Sequence, residues 1–480
     1  MRALSIDVGS SSVRSAVVDE AGAVTFPHRA PLTVRSPHSG EVELDPGEIA
    51  ELAIAVAEST LRESGGVDVV GVTNQRATTV VFDVRTGRAI GPALSWQDLR
   101  TVLDCLTLRA RGLRLAPNQS ATKVRWLVEH VTEERSHLRF ATLDTWLAWH
   151  LSRGELFVTD RTNACVTGLV TRDARRWNVD VLDALELDPS MFAPLVDSAG
   201  PLGPARALSG SPTLCALVGD QAASLFGQAC VERGTKVTFG TGAILNSILG
   251  STPPETDYLL ESGCYVTAVR SQGAVTTWAL EGIVLSAGAC VQWFGELGLG
   301  DVSGSSALAE SVPTRDGVVF VPAFSGLGTP HWDFGARGAF FGLTRGSSPA
   351  HLQRALLDGV AHRGVDLLDA VGREGGTVGD VVRVDGGMSV NRFFVQRFAD
   401  LCGRDVAVSA EVEATTRGAG LMALVGVGHL TLADVAKLSG VAYVATPRWS
   451  LDERAQRRDQ WRQHVERTRG TIPELSSVSF

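Results

Sequence analysis

Two stretches of this chain combine strand-like and turn-like residues in one pattern. IDVGSSSVRSAVVD at residues 6–19 and KVTFGTGAILNSIL at residues 236–249 each place glycine and small hydroxyl residues between two apolar runs. Apolar, β-branched runs on either side of a polar turn predict a β-hairpin. The Gly240–Thr241–Gly242 turn lies in the second stretch much as Gly9–Ser10–Ser11 lies in the first. The pattern therefore predicts two domains built on one plan.

The turn of the first hairpin carries more polar chemistry than a hairpin needs. Asp7 follows the first apolar run, Ser10, Ser11 and Ser12 fill the turn, and Arg14 comes next. Gly, Ser and Asp are ordinary turn residues, so a solvated loop is one interpretation. The other is a phosphate cradle, in which backbone N–H groups and hydroxyls surround an anion, Arg14 pairs with it and Asp7 holds a metal.

Composition restricts the class of protein and its partners. The 480 residues, 44% hydrophobic and 20% charged, are typical of a soluble globular protein with two or three domains. The net charge of −9 disfavours a broad basic surface for nucleic acid. No apolar run could span a membrane, and no signal peptide is expected before the first strand-like segment. Seven cysteines without a CxxC pair favour a reducing, cytoplasmic location over a zinc site or a disulfide scaffold.

Helix and connection signals complete a coarse map of the chain. LDPGEIAELAIAVAESTLRESGG predicts a helix with Asp45 as N-cap, Pro46 at its first position and Glu48 completing a capping box. The stretch from Pro189 to Pro212 is rich in proline, glycine and serine and predicts a long surface connection. Near the C-terminus, SLDERAQRRDQWRQHVERTRG predicts a charged, solvated packing helix.

Three turns along the chain share one character. DVGSSS, FGTGA and VDGGMSVN each place glycines and small residues at the end of an apolar strand, where bare backbone N–H groups can approach phosphate. Three such turns in two similarly built halves favour a nucleotide bound in a cleft. The usual nucleotide motifs, GxxxxGK[ST] and a GxGxxG with a ribose acid, do not occur. The phosphate chemistry is therefore of another kind.

Asp220 is the candidate catalytic base. In LVGDQAASLFGQ it follows an apolar strand and a glycine and begins a helix of small residues. Phosphoryl transfer to a hydroxyl needs a carboxylate that accepts the alcohol proton and a metal that screens the triphosphate. Asp220 would be the base and Asp7 the acid on the metal side. The alternative is that Asp220 is only a helix N-cap.

Seven longer stretches are more specific than the turns. They are NQRATTVVFDVRTGRAIGPALSWQDLRT, SATKVRWLVEH, TLDTWLAWHLSRGELFVTDRTNA, VGDQAASLFGQACVERGTKVTFGTGA, WALEGIVLSAGACVQW, VFVPAFSGLGTPHWDFGARGAFFGLTRG and RVDGGMSVNRFFVQRFAD. These stretches resemble the FGGY family of carbohydrate kinases, and the motifs are closest to those of its glycerol kinases. The resemblance runs in order from about residue 3 to about residue 430, and residues 338–358 fit a signature pattern of the family.

The resemblance implies an α/β, two-domain fold of the actin-like, ribonuclease-H-like ATPase type, with ATP, Mg²⁺ and substrate meeting in the interdomain cleft. It assigns Asp220 as catalytic base and Asp7 as the acid near magnesium. It assigns the substrate to Arg76, Trp96, Asp220 and Gln221. Nucleotide contacts fall on Ser10, Ser11, Ser12, Arg14, Thr241, Gly288, Gln292, Gly387 and Asn391.

Three positions depart from the glycerol-kinase pattern. Ala77 stands where a Glu is expected, Asn118 where a Tyr is expected, and Ile244 where the pocket wall has a Phe. These changes predict a larger, less negative pocket in which glycerol is a poor substrate. We expect a penalty of about 30- to 1,000-fold in specificity against a longer polyol or ketose. Alternatively, neighbouring residues restore the lost acceptor and the chain is a true glycerol kinase.

The expected organisation is a first domain at 1–225, a second at 226–440 and a charged helical tail at 441–480. The expected activity is ATP-dependent phosphorylation of a small polyol or sugar, with no nucleic-acid or membrane partner and with homo-oligomerisation left open. A catalytically weak polyol-binding regulator and a non-enzymatic actin-like module are the alternatives from other classes. The regulator would have lost Asp220 or a glycine turn, and the chain keeps both.

Overall fold

The computed structural model describes residues 1–131, 133–253, 259–273, 275–411 and 413–476. Its strands are Arg2–Val8 (β1), Ser12–Asp19 (β2), Val24–Pro31 (β3), Val34–Arg35 (β4), Glu43–Leu44 (β5), Val69–Asn74 (β6), Val80–Asp83 (β7), Arg88–Ala89 (β8), Ala93–Leu94 (β9), Leu138–Ala141 (β10), Thr159–Asp160 (β11), Leu195–Val196 (β12), Ala199–Pro204 (β13), Thr213–Gly219 (β14), Thr235–Phe239 (β15), Ala243–Gly250 (β16), Tyr265–Gln272 (β17), Val275–Val284 (β18), Val319–Val321 (β19), Ala339–Phe341 (β20), Val381–Asp385 (β21), Asp405–Ser409 (β22) and Val441–Ala445 (β23).

The helices complete the chain order. They are Pro46–Ser64 (α1), Val102–Ala110 (α2), Ala121–Glu129 (α3), Leu143–Leu151 (α4), Arg161–Ala164 (α5), Val179–Ala184 (α6), Asp220–Gly227 (α7), Gly288–Glu296 (α8), Ser305–Glu310 (α9), Pro349–Arg373 (α10), Arg392–Cys402 (α11), Ala414–Gly426 (α12), Leu432–Lys437 (α13), Leu451–Thr468 (α14) and Pro473–Ser476 (α15).

Two large sheets repeat one topology. The first has the strand order β13-β14-β6-β1-β2-β3, and the second has β17-β18-β16-β15-β21-β22-β23. Each sheet contains an antiparallel hairpin, β1–β2 in the first and β15–β16 in the second. The second strand of each hairpin pairs with a further antiparallel strand, β3 or β18. The first strand of each hairpin begins a parallel series, β1-β6-β14 or β15-β21-β22. The expectation of two halves built on one plan is therefore confirmed.

Helix α12 follows β22 of the second sheet in sequence but packs on the first sheet. A Cβ at Gly71 of β6 would lie 2.2 Å from the Ala419 carbonyl oxygen, and one at Gly420 would lie 2.5 Å from Val18. Glycine at both positions lets the helix backbone approach the strands closely. One buried apolar cluster consequently joins β1, β2, β6 and β14 of the first sheet to α7 and α12.

Two local predictions are wrong. The stretch from Pro189 to Pro212 is not a long surface connection throughout, because it contains β12 and the edge strand β13. Asp45 does cap α1, accepting hydrogen bonds from the backbone N–H groups of Gly47 and Glu48. The Glu48 carboxylate, however, turns away from the cap and accepts from Thr33, so no capping box forms.

The charged helix near the C-terminus forms as predicted, as α14, but it is not wholly solvated. Arg458, Trp461 and Val465 are buried on its inner face. Residues 477–480 of the predicted tail lie outside the described residues. None of the described helices is long and apolar enough to cross a bilayer.

Candidate active site

The carboxyl ends of three parallel strands meet at one edge of the first sheet. Val8 of β1 and Gly219 of β14 both align with Asn74 of β6. Parallel strands end at the same edge, so the residues that follow them come together. Asp7, Arg76 and Asp220 are therefore neighbours although the sequence separates them widely.

Asp220 is the first residue of α7, and Gly219 occupies the N-cap position. Its Oδ1 accepts the Gln221 backbone N–H at 2.7 Å and lies 3.5 Å from the Arg76 Nε. The side chain keeps 28% of its surface exposed. Burial raises the pKa of Asp220, and the nearby Arg76 guanidinium partly opposes that rise. A partly exposed carboxylate with a raised pKa suits proton transfer better than helix capping.

Arg76 is held by a carboxylate that the sequence analysis did not single out. Its Nη2 donates to both carboxylate oxygens of Glu281 on β18, at 2.9 and 2.7 Å, and Asn246 on β16 donates to the same carboxylate at 3.0 Å. The Arg76 and Glu281 side chains are only 12% and 4% exposed. The signal that could have found Glu281 is a charged residue inside the otherwise neutral strand run TTWALEGIV.

The departures from the glycerol-kinase pattern lie near Arg76. Ala77 is buried with a φ of 60°, and its carbonyl oxygen accepts the Ser120 hydroxyl at 3.1 Å, which brings the turn of Asn118 beside it. Ile244 lies two residues before Asn246 on β16, on the same face of that strand. The Gln221 Oε1 is buried and accepts no hydrogen bond from the described residues. The Gln221 amide oxygen, next in sequence to Asp220, is therefore an unused acceptor for a substrate hydroxyl.

The first turn contains residues expected to contact phosphate and touches Trp96, a residue expected to contact substrate. The Trp96 indole N–H donates to the Ser10 hydroxyl at 3.2 Å, and the Trp96 side chain is exposed. Arg14 forms an ion pair with Glu413 at 2.6 Å, which ties the hairpin to the segment before α12. The hydroxyls of this turn and the Arg14 guanidinium therefore lie at the junction between the two halves of the sequence.

Asp7 has the environment expected of a carboxylate that holds a cation. Burial raises its pKa to about 7, Arg14 opposes the rise, and the Asp220 and Glu413 carboxylates add to it. Among the described residues there is no cluster of three or more metal-ligating side chains. Mg²⁺ bound with a nucleotide needs only one or two carboxylates besides phosphate oxygens, so the residues present fit it.

The second and third turns meet at the edge of the second sheet. The Gly288 backbone N–H at the start of α8 donates to the Gly240 carbonyl at 2.9 Å, and a Cβ at Gly288 would lie 2.5 Å from that oxygen. Gly386, with a φ of 86°, packs equally closely on Phe239. Asn391 caps α11 and donates to Ser305 of α9 at 2.9 Å. Thr241, Gln292 and Gly387 are exposed on the elements that these contacts hold together.

A buried lysine connects the helix of Asp220 to the third turn. The Lys236 Nζ donates to Ser224 at 3.0 Å and to Thr238 at 2.7 Å, and Ser224 donates to Asp385 at 3.0 Å. Asp220 and Ser224 lie four residues apart on α7 and therefore share a face of that helix. Burial lowers the pKa of Lys236, while the carboxylates of Asp385 and Asp220 oppose that change.

Comparisons with known proteins agree with this architecture. Residues 2–227 match the N-terminal domain, and residues 235–427 the C-terminal domain, of the FGGY family of carbohydrate kinases. The chain is 38% identical to a glycerol kinase of Aromatoleum aromaticum, covering 98% of this chain and 99% of that protein. It is 37% identical to a glycerol kinase of Ralstonia pickettii, covering 97% and 98%.

Solved structures show the same fold. A Plasmodium falciparum glycerol kinase with ADP superposes with a TM-score of 0.90 at 26% identity, covering 97% of this chain and 98% of that one. A xylulose kinase from Lactobacillus acidophilus superposes with a TM-score of 0.87 at 17% identity, covering 99% of each chain.

The fold is thus the two-domain, actin-like ATPase fold, as expected. The chain belongs to the FGGY family of carbohydrate kinases. It is a phosphotransferase that acts on an alcohol group.

Proposed function

We propose that this protein transfers a phosphoryl group from ATP to a hydroxyl of a small polyol or sugar, with Asp220 as the general base. The observation that carries the proposal is the approach of Asp220 to Arg76, which in turn pairs with Glu281 from the other half of the sequence. Side chains of both halves thus surround one partly exposed carboxylate beside the glycine turns. Phosphoryl transfer depends on such positioning more than on covalent chemistry by the protein.

The nucleotide side of the proposal uses the three turns. Ser10, Ser11, Ser12 and Arg14 would face the phosphates from the first half, and Thr241, Gly288, Gln292, Gly387 and Asn391 would hold the nucleotide from the second half. Asp7 would hold Mg²⁺, which supplies charge screening for the triphosphate when bound. The surroundings of Asp7 support this role, because burial and the Asp220 and Glu413 carboxylates disfavour its charged form, and a bound cation would offset that penalty.

The substrate side of the proposal is a pocket altered from that of glycerol kinases. Arg76, Trp96, Asp220 and Gln221 would contact the substrate, while Ala77, Asn118 and Ile244 would leave additional room. The presence of Glu281 supports a smaller loss of specificity for glycerol than the sequence alone predicts, because Glu281 gives Arg76 a carboxylate partner that Ala77 cannot provide. Relative to a glycerol kinase, the pocket would then make about one hydrogen bond fewer to glycerol, a loss of about 0.5–1.5 kcal/mol.

We expect a preference of about tenfold in kcat/KM for four- or five-carbon polyols and ketoses over glycerol. An ADP-release assay over a panel of such compounds measures it, with the Asp220→Asn variant as a blank for background ATP hydrolysis. A clear preference for glycerol would overturn the altered pocket and make the chain a true glycerol kinase. Saturable polyol binding without any turnover across the panel would instead favour a polyol-binding regulator.

The proposal includes a cytoplasmic location and a small-molecule substrate as the main partner. All seven cysteines lie in described residues and are free, as is typical of proteins in a reducing compartment.

A further inference from the structure

The second half of the sequence contains a cavity, open to solvent on one side, in which four arginines form much of the lining. It has a volume of 510 Å³ and lies between α9, α10, α11 and β23. Its arginines are Arg354, Arg392, Arg397 and Arg448. None of the residues proposed to bind substrate or nucleotide lines this cavity.

Aromatic rings contact three of these four guanidinium groups, those of Arg354, Arg392 and Arg397. Arg354 and Arg397 both lie over the Phe393 ring, at 5.0 and 4.8 Å from its centroid, and Arg392 lies 4.6 Å from the centroid of Tyr443. Arg397 and Arg457 both contact the ring of Trp449, at 4.9 and 4.1 Å. A guanidinium stacked on a ring can present its N–H edge for bidentate contact with phosphate oxygens. Arg354 contributes less of that edge than Arg392, because its Nη1 already donates to the Ala309 and Val312 carbonyl oxygens at 3.0 and 2.5 Å.

Positive charge is in excess around the cavity. Arg315, Arg354, Arg397 and Arg457 all act electrostatically on the buried carboxylate of Asp358. With Arg392 and Arg448 the cluster holds six guanidinium groups, against the four carboxylates of Glu310, Asp358, Asp400 and Glu453, the last of which lies near Arg457. The carboxylates therefore leave about two positive charges uncompensated, although the whole chain carries a net charge of −9.

Asp400 of the lining and the buried Asp358 behind it are already engaged. Asp400 accepts hydrogen bonds from the Gln396 side chain at 2.8 Å and from the Arg448 backbone N–H at 2.9 Å, and it lies 3.6 Å from Arg397. Asp358 lies 3.4 Å from the Arg397 Nε. An anion that enters the cavity would therefore meet Arg392 and Arg448, whose side chains none of these carboxylates engages.

We propose that this cavity is a second anion site, which binds a small organic phosphate carrying two or more negative charges on its phosphoryl groups. Guanidinium groups in a fixed arrangement recognise phosphate through paired N–H donors, and several of them together favour a multiply charged ligand. The volume of 510 Å³ accommodates a small phosphorylated metabolite. This inference stands independently of the proposed kinase reaction.

The site also has a direct structural connection to the nucleotide side. Arg392 begins α11 immediately after Asn391, and Asn391 donates to Ser305 at the start of α9. The far end of α9 lines the cavity through Glu310. A ligand that draws Arg392 inward would act on the helix end that Asn391 caps, so it would alter the affinity for nucleotide.

Calorimetric titration of the full chain with inorganic pyrophosphate tests the site. The titration is carried out without divalent cations and with ADP at saturation, so that the proposed nucleotide turns are blocked. We expect pyrophosphate to bind at least tenfold more tightly than inorganic phosphate. The double variant Arg392→Ala/Arg448→Ala, which changes two exposed arginines of the lining, should weaken pyrophosphate binding at least tenfold.

The matched control is Arg88→Ala/Arg345→Ala, which removes two exposed arginines outside the cavity. It should bind pyrophosphate as the unchanged protein does, and both double variants should keep the thermal midpoint. Absence of pyrophosphate binding, equal weakening in the two double variants, or equal heats from sodium chloride at matched ionic strength would each overturn the proposal. A titration repeated without ADP separates this result from the kinase proposal, because failure of ADP to bind would count against the latter alone.

Discussion

The Asp220→Asn variant should lose at least about 10²-fold in kcat while binding nucleotide nearly as well as the unchanged protein. Asparagine keeps the size of the side chain and its acceptor for the Gln221 backbone N–H. It cannot take the proton of an attacking hydroxyl, and that task lies in the transition state. The proposed phosphate contacts come from other turns, so the ground-state affinity for ATP should change little. Steady-state ADP release and a nucleotide titration measure the two quantities.

The matched control is Asp180→Asn, the same change in the first turn of α6 at an exposed position outside the site. It should retain full activity. An Asp220→Asn enzyme that kept more than about a tenth of the normal turnover would exclude a general-base contribution of this size. A parallel loss of nucleotide affinity would show that Asp220 acts by holding the site together instead.

The hairpins and turns of this fold are predictable because their signals are local. Glycine and small hydroxyl residues between β-branched runs specify the same turn wherever they occur, and the two halves repeat that pattern. The start of α1 is predictable for the same reason, because its N-cap Asp45 and its first residue Pro46 are adjacent in the sequence. The failure at Glu48 is also informative, since Thr33, distant in sequence, offers a competing hydrogen-bond donor.

The edge strand β13 was missed because its composition is that of a loop. Its sequence AGPLGP contains two glycines and two prolines, which are rare in central strands. At a sheet edge a proline needs no ladder partner on its outer side, and the register shift between Ala199 and Gly203 accommodates the irregular backbone. Such a strand forms because β14 offers it an unpaired edge, which only the tertiary structure supplies.

The candidate site likewise has residues that local sequence predicts and a residue that only the tertiary structure reveals. Asp7 and Asp220 each follow an apolar strand, so their positions at a sheet edge follow from local pattern and parallel topology. The partner of Arg76 does not, because Glu281 lies 205 residues further along the chain. Its approach depends on how β18 of the second sheet meets the first sheet. The residue beside Arg76 in sequence therefore could not reveal the carboxylate that pairs with it in the fold.

The Asp366→Asn variant should lose about 2–5 kcal/mol of stability, seen as a fall of about 5–10 °C in the thermal midpoint. The Asp366 carboxylate accepts hydrogen bonds from Arg363 at 2.7 Å, from Arg458 at 2.5 Å and from the Trp461 indole. All of these groups are buried, and they join α10 to α14. The amide would leave two buried guanidinium groups without their shared counter-charge. Asp369→Asn, which removes a half-exposed partner of Arg458 one turn away, should cost less than about 1 kcal/mol.

The pH dependence gives an independent check of the same ion-pair network. Although burial alone would raise the pKa of Asp366, Arg458 and Arg363 lower it to about 2, below the ordinary value of 3.8. A carboxyl group whose pKa is lower in the folded state stabilises the fold above the unfolded pKa, and this contribution disappears as the pH falls through the folded pKa. The difference between the unchanged protein and Asp366→Asn should therefore be constant from pH 7 to about pH 5 and shrink between about pH 4 and pH 2, by about 2 kcal/mol. Thermal midpoints of both proteins across that range measure it, and a difference that stayed constant down to pH 2 would show that the loss comes from packing and not from charge.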